Sequence, residues 1–201
     1  MSQAVSSPPK SAGLEGVVAA KSEVCYIDGV AGRLVFRGYE IADLVENLSF
    51  EETAYLLWTG KLPNRQQISD LKQQIVASAK LPKSIEDILR SLPKGTHPMD
   101  ALRTTISALG CDDADKNNNS PEASERKAIR LTAQFPVIVA AYDRIRNGKD
   151  LIAWDPSLSI AANFLYMQSG KKPHDTVVRV MDAALVIHAE HGMNASTLLP
   201  A

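Results

Sequence analysis

The sequence predicts a mainly α-helical chain with a small β-element near its N-terminal end, on three observations. Five glycines, Gly60, Gly110, Gly148, Gly170 and Gly192, follow the last apolar position of five candidate helices, where a residue free to take positive φ ends a helix. Capping residues such as Ser49, Asn64 and Ser120 stand ahead of apolar residues spaced three and four apart. Strand-type residues gather before Phe36 and thin out after it.

Taken in order, the first dozen residues are rich in Ser and Pro, lack the apolar core of a signal peptide and read as a flexible tail over 1–12. Val17, Val18, Val24, Tyr26 and Ile27, then Leu34, Val35 and Phe36, flank Asp28-Gly29, so a hairpin is expected there, with strand character ending at Phe36. Ser49 caps a helix running through Thr59, with Glu51 and Glu52 in its first turn and Gly60 as its stop. Asn64 caps the next, whose Ile68, Leu71, Ile75 and Ala79 share a face. A short helix comes next, over Lys83 to Ser91.

Pro98 suits the first position of a helix striped by Met99, Leu102, Ile106 and Leu109, with Gly110 just past its end. Ser120-Pro121-Glu122 opens the longest helix, striped by Leu131, Phe135, Ile138, Tyr142 and Ile145, bent at Pro136 and closed by Asn147-Gly148. Asp155-Pro156 is expected to open the helix ending at Ser169-Gly170. The last helix starts between Pro173 and Asp175 and lines up Val177, Met181, Ala184 and His188.

Composition narrows the function. With 22 basic and 23 acidic side chains and a net charge of −1, no global field draws the chain to nucleic acid or an anionic membrane. Apolar runs such as Val137 to Tyr142 are far shorter than a bilayer requires. Cys25 and Cys111 fit neither a disulfide scaffold nor a metal knuckle, so a cytoplasmic setting is the simplest expectation.

The chemistry-bearing stretch is 184–197. Its two histidines and one glutamate, His188, Glu190 and His191, precede Gly192 and a run of small hydrogen-bonding residues that includes Asn194. This reads as a helix end presenting His191 to a cleft, with Asn194 placed to cap the succeeding segment and His188 a core histidine on the apolar line. No metal site is expected. The His188–His191 spacing is not that of a zinc protease helix, and Asp112, Asp113 and Asp115 lack the glycine and closing glutamate of a calcium loop, so they read as solvent-facing. His97 reads as a helix-start residue and His174 as part of a solvated turn.

Several of these segments resemble one family in order. Glu15-Gly16-Val17-Val18-Ala19, Tyr26-Ile27-Asp28-Gly29, Phe36-Arg37-Gly38-Tyr39 with Ile41 and Leu44, and Phe50-Glu51-Glu52 leading to Gly60-Lys61-Leu62-Pro63 look like the N-terminal signature of prokaryotic-type citrate synthases. His97-Pro98-Met99-Asp100 with Leu102-Arg103, Asn163-Phe164-Leu165-Tyr166-Met167, His188-Ala-Glu-His191 and Asn194-Ala-Ser-Thr197 continue the match. The resemblance implies condensation of acetyl-CoA with oxaloacetate and hydrolysis of the citryl thioester, with acetyl-CoA as co-substrate, no cofactor and no metal. It implies that His191 hydrogen-bonds oxaloacetate, and that His188 and Asn194 support the same active-site wall. It also implies a homo-oligomer, a dimer or larger.

The family's His-Gly-x-Ala-Asn and Gly-His-Arg motifs do not occur in this sequence. In the family these motifs, the proton-abstracting aspartate and the arginines that clamp oxaloacetate lie downstream of the stretch resembling 188–197. No catalytic residue is therefore assigned, and residues 13–201 correspond to the N-terminal part of the large domain, without its C-terminal part or the small domain. The expectation is a citrate synthase chain inactive by itself. A non-catalytic assembly or regulatory subunit, or a 2-methylcitrate synthase, are the alternatives. Arg37 and Arg103 lie within family-like motifs, whereas Arg126, Arg130, Arg144 and Arg146 read as solvated helix residues.

Overall fold

The computed structural model describes residues 21–193. The 1–12 tail, the Glu15–Ala19 motif and Asn194 with the residues after it lie outside the described residues. Three short strands, β1 (Cys25–Asp28), β2 (Arg33–Phe36) and β3 (Tyr39–Glu40), form an antiparallel sheet in sequence order. Eight helices come after them among the described residues: α1 (Ile41–Asn47), α2 (Phe50–Thr59), α3 (Arg65–Ser78), α4 (Lys83–Ser91), α5 (Pro98–Cys111), α6 (Pro121–Arg146), α7 (Ile160–Ser169) and α8 (Asp175–Ile187).

The sheet departs from expectation in two places. Between β1 and β2 the chain uses a longer loop, in which Asp28 Oδ1 accepts from the backbone N–H of Val30 and Ala31 and Gly32 takes φ 66°, so Asp28-Gly29 is not a tight two-residue turn. The two-residue turn is Arg37-Gly38, with φ 48° and 89°, and it adds the third strand by pairing Phe36 with Tyr39. Arg37 tolerates the left-handed region because its guanidinium donates Nε and Nη2 to the Leu57 carbonyl near the end of α2.

Helix starts follow local chemistry. Ser49 and Glu52 form a reciprocal capping box on α2, and Asn64 and Gln67 form another on α3. His97 and His174 each cap a helix with Nδ1, accepting from the backbone N–H of Met99 and Thr176 at 3.2 Å; His174 is thus a cap and not a mere turn residue. α5 continues through Gly110 to Cys111, since nothing there forces positive φ. α6 runs unbroken across Pro136, which removes the N–H that Thr132 would otherwise receive.

α7 starts later than expected, at Ile160 with Ser159 as its cap. Asp155-Pro156 belongs to a loop tied down by the buried Asn163, whose Oδ1 accepts from Asp155 N and whose Nδ2 donates to the Asp155 and Leu158 carbonyls.

Three apolar clusters hold the body together. One joins α4, α5 and the second half of α6 through Ile85, Leu89, Ala101, Ile138 and Tyr142. The next joins α3, the first half of α6 and α7 through Leu71, Ile75, Ile129, Ala133 and Ile160. The last seats the sheet on α1, α2 and α8 through Phe36, Leu44, Leu56 and Val186. α6 spans the first two clusters, because its 26 residues make it long enough to carry a buried stripe for each.

Candidate active site

α8 packs against α1, α2 and α7, and its C-terminal end opens onto a groove of about 560 Å³. Phe50 of α2, Phe135 and Val139 of α6, Phe164 of α7 and Leu185 of α8 line its apolar walls. His188 and His191 stand together at its histidine-bearing side. The structure therefore brings together two of the three residues singled out from sequence, and the third, Asn194, lies outside the described residues.

His188 is not a core histidine. It is the exposed C-cap of α8: its line is open at both ends, with Val177 49% exposed, and only half-buried at Met181 and Ala184, whereas Val186, off that line, is fully buried. Its Nδ1 lies 2.7 Å from the Ala184 carbonyl, which can only accept, so Nδ1 donates and the ring is anchored with Nε2 turned away from the helix end. His191 comes just beyond the helix end as an exposed side chain on the groove. Gly192 after it takes φ 75°, and its N–H donates to Glu190 Oε1 at 2.7 Å.

A buried acid, Glu51, and a half-buried one, Asp182, that sequence reading missed lie beside this groove. Glu51 is 2% exposed and reaches from α2 to the start of α7, where Oε1 accepts from Ile160 N at 2.8 Å. Two acids stand in the first turn of α2 and the capping box uses only Glu52, the one sequence signal that Glu51 has another task. Asp182 of α8 accepts from Phe50 N at 3.3 Å, and its carboxyl titrates above the usual range because burial disfavours its charge and Glu51 and Glu52 repel it. Cys25 lies near Glu190, and burial first, then that neighbouring carboxylate, push its thiol up to about 11.

The remaining sequence candidates are structural. Arg37 holds the end of α2, and Arg103 forms an exposed pair with Asp100 within α5. Asp113 and Asp115 are not solvent-facing: they are half-buried partners of Arg130 and Arg126 on α6, and Arg126 holds the Asp115 carboxyl below its ordinary range. Arg144 donates to the Asp150 and Gln168 carbonyls. Among the described residues no cluster of His, Cys, Asp and Glu is arranged to hold a metal ion, and no helix is long and apolar enough to cross a membrane.

Fold and site together define a helical protein with an N-terminal three-stranded sheet and an apolar groove edged by two histidines. A crystal structure of citrate synthase from Pyrobaculum aerophilum superposes with a TM-score of 0.85 at 33% identity, covering 92% of this chain and 48% of that one. The family model described as citrate synthase, C-terminal domain, matches residues 13–199. The chain belongs to the citrate synthase family. It is 44% identical over 189 residues to the citrate synthase of Haloferax volcanii, covering 92% of this chain and 50% of that relative. It is 38% identical over 187 residues to the citrate/2-methylcitrate synthase of Bacillus subtilis, covering 93% and 50%. The chain thus spans about half the length of the curated relatives it matches.

Proposed function

We propose that this chain supplies one wall of a citrate synthase active site, that of a carbon–carbon bond-forming acyltransferase acting on acetyl-CoA and oxaloacetate. In this reading residues 13–201 are the first part of the large domain, and His191 donates a hydrogen bond to the ketone oxygen of oxaloacetate. Such a bond draws electron density from the carbonyl carbon that the acetyl carbon attacks. The observation that carries the reading is the exposed His191 on an open groove, at the end of a match that runs through nearly the whole chain.

His188 supports that wall through its anchored ring, and Asn194 completes it. Removal of the acetyl methyl proton and clamping of the two oxaloacetate carboxylates fall to groups outside this sequence, which has neither the His-Gly-x-Ala-Asn nor the Gly-His-Arg motif. The 201-residue chain alone is therefore expected to bind oxaloacetate weakly and to turn nothing over. Mixed with acetyl-CoA, oxaloacetate and a thiol reagent it should release no CoA, while calorimetry should detect oxaloacetate binding that His191→Ala abolishes. Sustained CoA release by the chain alone, or equal binding by the variant, would overturn this reading.

A 2-methylcitrate synthase is the second reading, favoured by the relative whose printed name joins both products. Propionyl-CoA and acetyl-CoA compared on an active assembly containing this chain separate the two. The groove's half-exposed Leu131, Phe135 and Val139 support association of copies into a homo-oligomer.

A further inference from the structure

His191 sits in a loop, directly before a glycine at φ 75°, where the backbone alone does little to fix a side chain. Glu190 supplies the missing constraint on two sides. Its Oε1 accepts from Gly192 N at 2.7 Å, so the residues flanking His191 are joined through one carboxylate. Its Oε2 is turned inward and fully buried, and the thiol of Cys25 on β1 lies near the carboxylate, although Oε2 accepts no well-aligned hydrogen bond. The neighbouring Ala189 packs into the cluster that seats the sheet on α1, α2 and α8.

We propose that Glu190 is the positioning residue for His191: it closes the turn around the histidine through Gly192 N, with its other oxygen buried where Ala189 and Cys25 of β1 pack against the same cluster. The functional weight of this assignment rests on His191 being the residue that meets oxaloacetate; the mechanical part does not. A thiol held at about 11 stays protonated at neutral pH, so Cys25 adds no repelling thiolate beside the carboxylate. The N-terminal sheet thereby gains a role, as the fixed frame against which the histidine loop is held.

The test uses the 201-residue chain with Glu190→Gln, which keeps an acceptor without charge, and Glu190→Ala, which keeps neither. Amide hydrogen exchange at Gly192 should be slow in the wild type, little changed in E190Q and faster in E190A by on the order of tenfold, the equivalent of one hydrogen bond. Alkylation of Cys25 by iodoacetamide at pH 8 should accelerate in both variants, because both remove the charge that disfavours the thiolate.

Oxaloacetate affinity should fall in E190A and be largely restored in E190Q. Unchanged Gly192 exchange together with unchanged Cys25 alkylation would overturn the proposal. If E190A fails to fold, faster Cys25 alkylation in E190Q with native Gly192 exchange supports the placement of the Glu190 carboxylate beside β1, and wild-type alkylation in E190Q overturns it. A wild-type chain that does not bind oxaloacetate removes the reading of His191, while the exchange and alkylation results still decide the role of Glu190.

Discussion

Glu51 shows how much one buried side chain controls near the groove. Its Oε1 satisfies the first N–H of α7, at a helix N-terminus where a carboxylate is favoured, so Glu51→Ala leaves Ile160 N buried without a partner. Urea denaturation should find the alanine variant less stable by about 1–3 kcal/mol, and Glu51→Gln, which keeps an acceptor, less affected. Asp182 acts with the opposite sign. Its folded-state carboxyl titrates above its ordinary value of about 3.9, so the folded state holds that proton more tightly and stability falls as pH rises from about 4 through the raised value. Asp182→Asn keeps an acceptor for Phe50 N and removes the charge. Thermal melts should therefore show it more stable than the wild type at pH 7, with the difference vanishing below about pH 4.

At the scale of elements, capped helix starts are legible in the sequence, while faces are legible on α3, where Leu71, Ile75 and Ala79 are buried as their spacing predicts, but not on α5 or α8. Ser49, Asn64 and Ser120 announce α2, α3 and α6 because capping is settled within four residues of chain. Ser49→Ala should lower stability by about 0.5–2 kcal/mol in denaturant titration, since it removes the hydroxyl that accepts from Glu52 N and leaves only the backbone half of the capping box. Faces depend on what packs across them. Met99, first in the expected stripe of α5, is 62% exposed, while Ala101 and Thr105 are buried in its place. The apolar line of α8 is exposed at both ends, at Val177 and His188, and half-buried between them, which is why His188 is not the core residue its spacing suggests.

Other departures share this cause. An Asp-Gly step favours a tight turn locally, but Asp28 is used instead to cap a longer loop, and the tight turn falls where Arg37 can reach the Leu57 carbonyl 20 positions away. At Gly170 the local signal and the packing agree: it takes φ 79°, and an added Cβ would lie 3.3 Å from Ile152 Cδ1. Gly170→Ala should therefore lower the melting temperature.

For the whole molecule, the three clusters account for a body that positions the groove, and the groove's outer wall is the apolar surface on which association is predicted. Leu131, Phe135 and Val139 are each more than a third exposed along one side of α6. Sedimentation should show concentration-dependent association of the chain, reduced by Phe135→Glu, which places a charge in the middle of that wall. The candidate site itself is legible as the run His188 to Gly192, since its residue types crowd together in the sequence. Its supports are not, because Glu51, Asp182 and Cys25 come to it only through folding. The account turns on whether His191 meets a ketone. Imidazole NMR of His191 in the labelled chain, titrated with oxaloacetate and separately with succinate, asks this directly. A saturable shift of the His191 resonances with the keto acid and none with succinate is the expected result, and resonances indifferent to both, or moved equally by both, would contradict it.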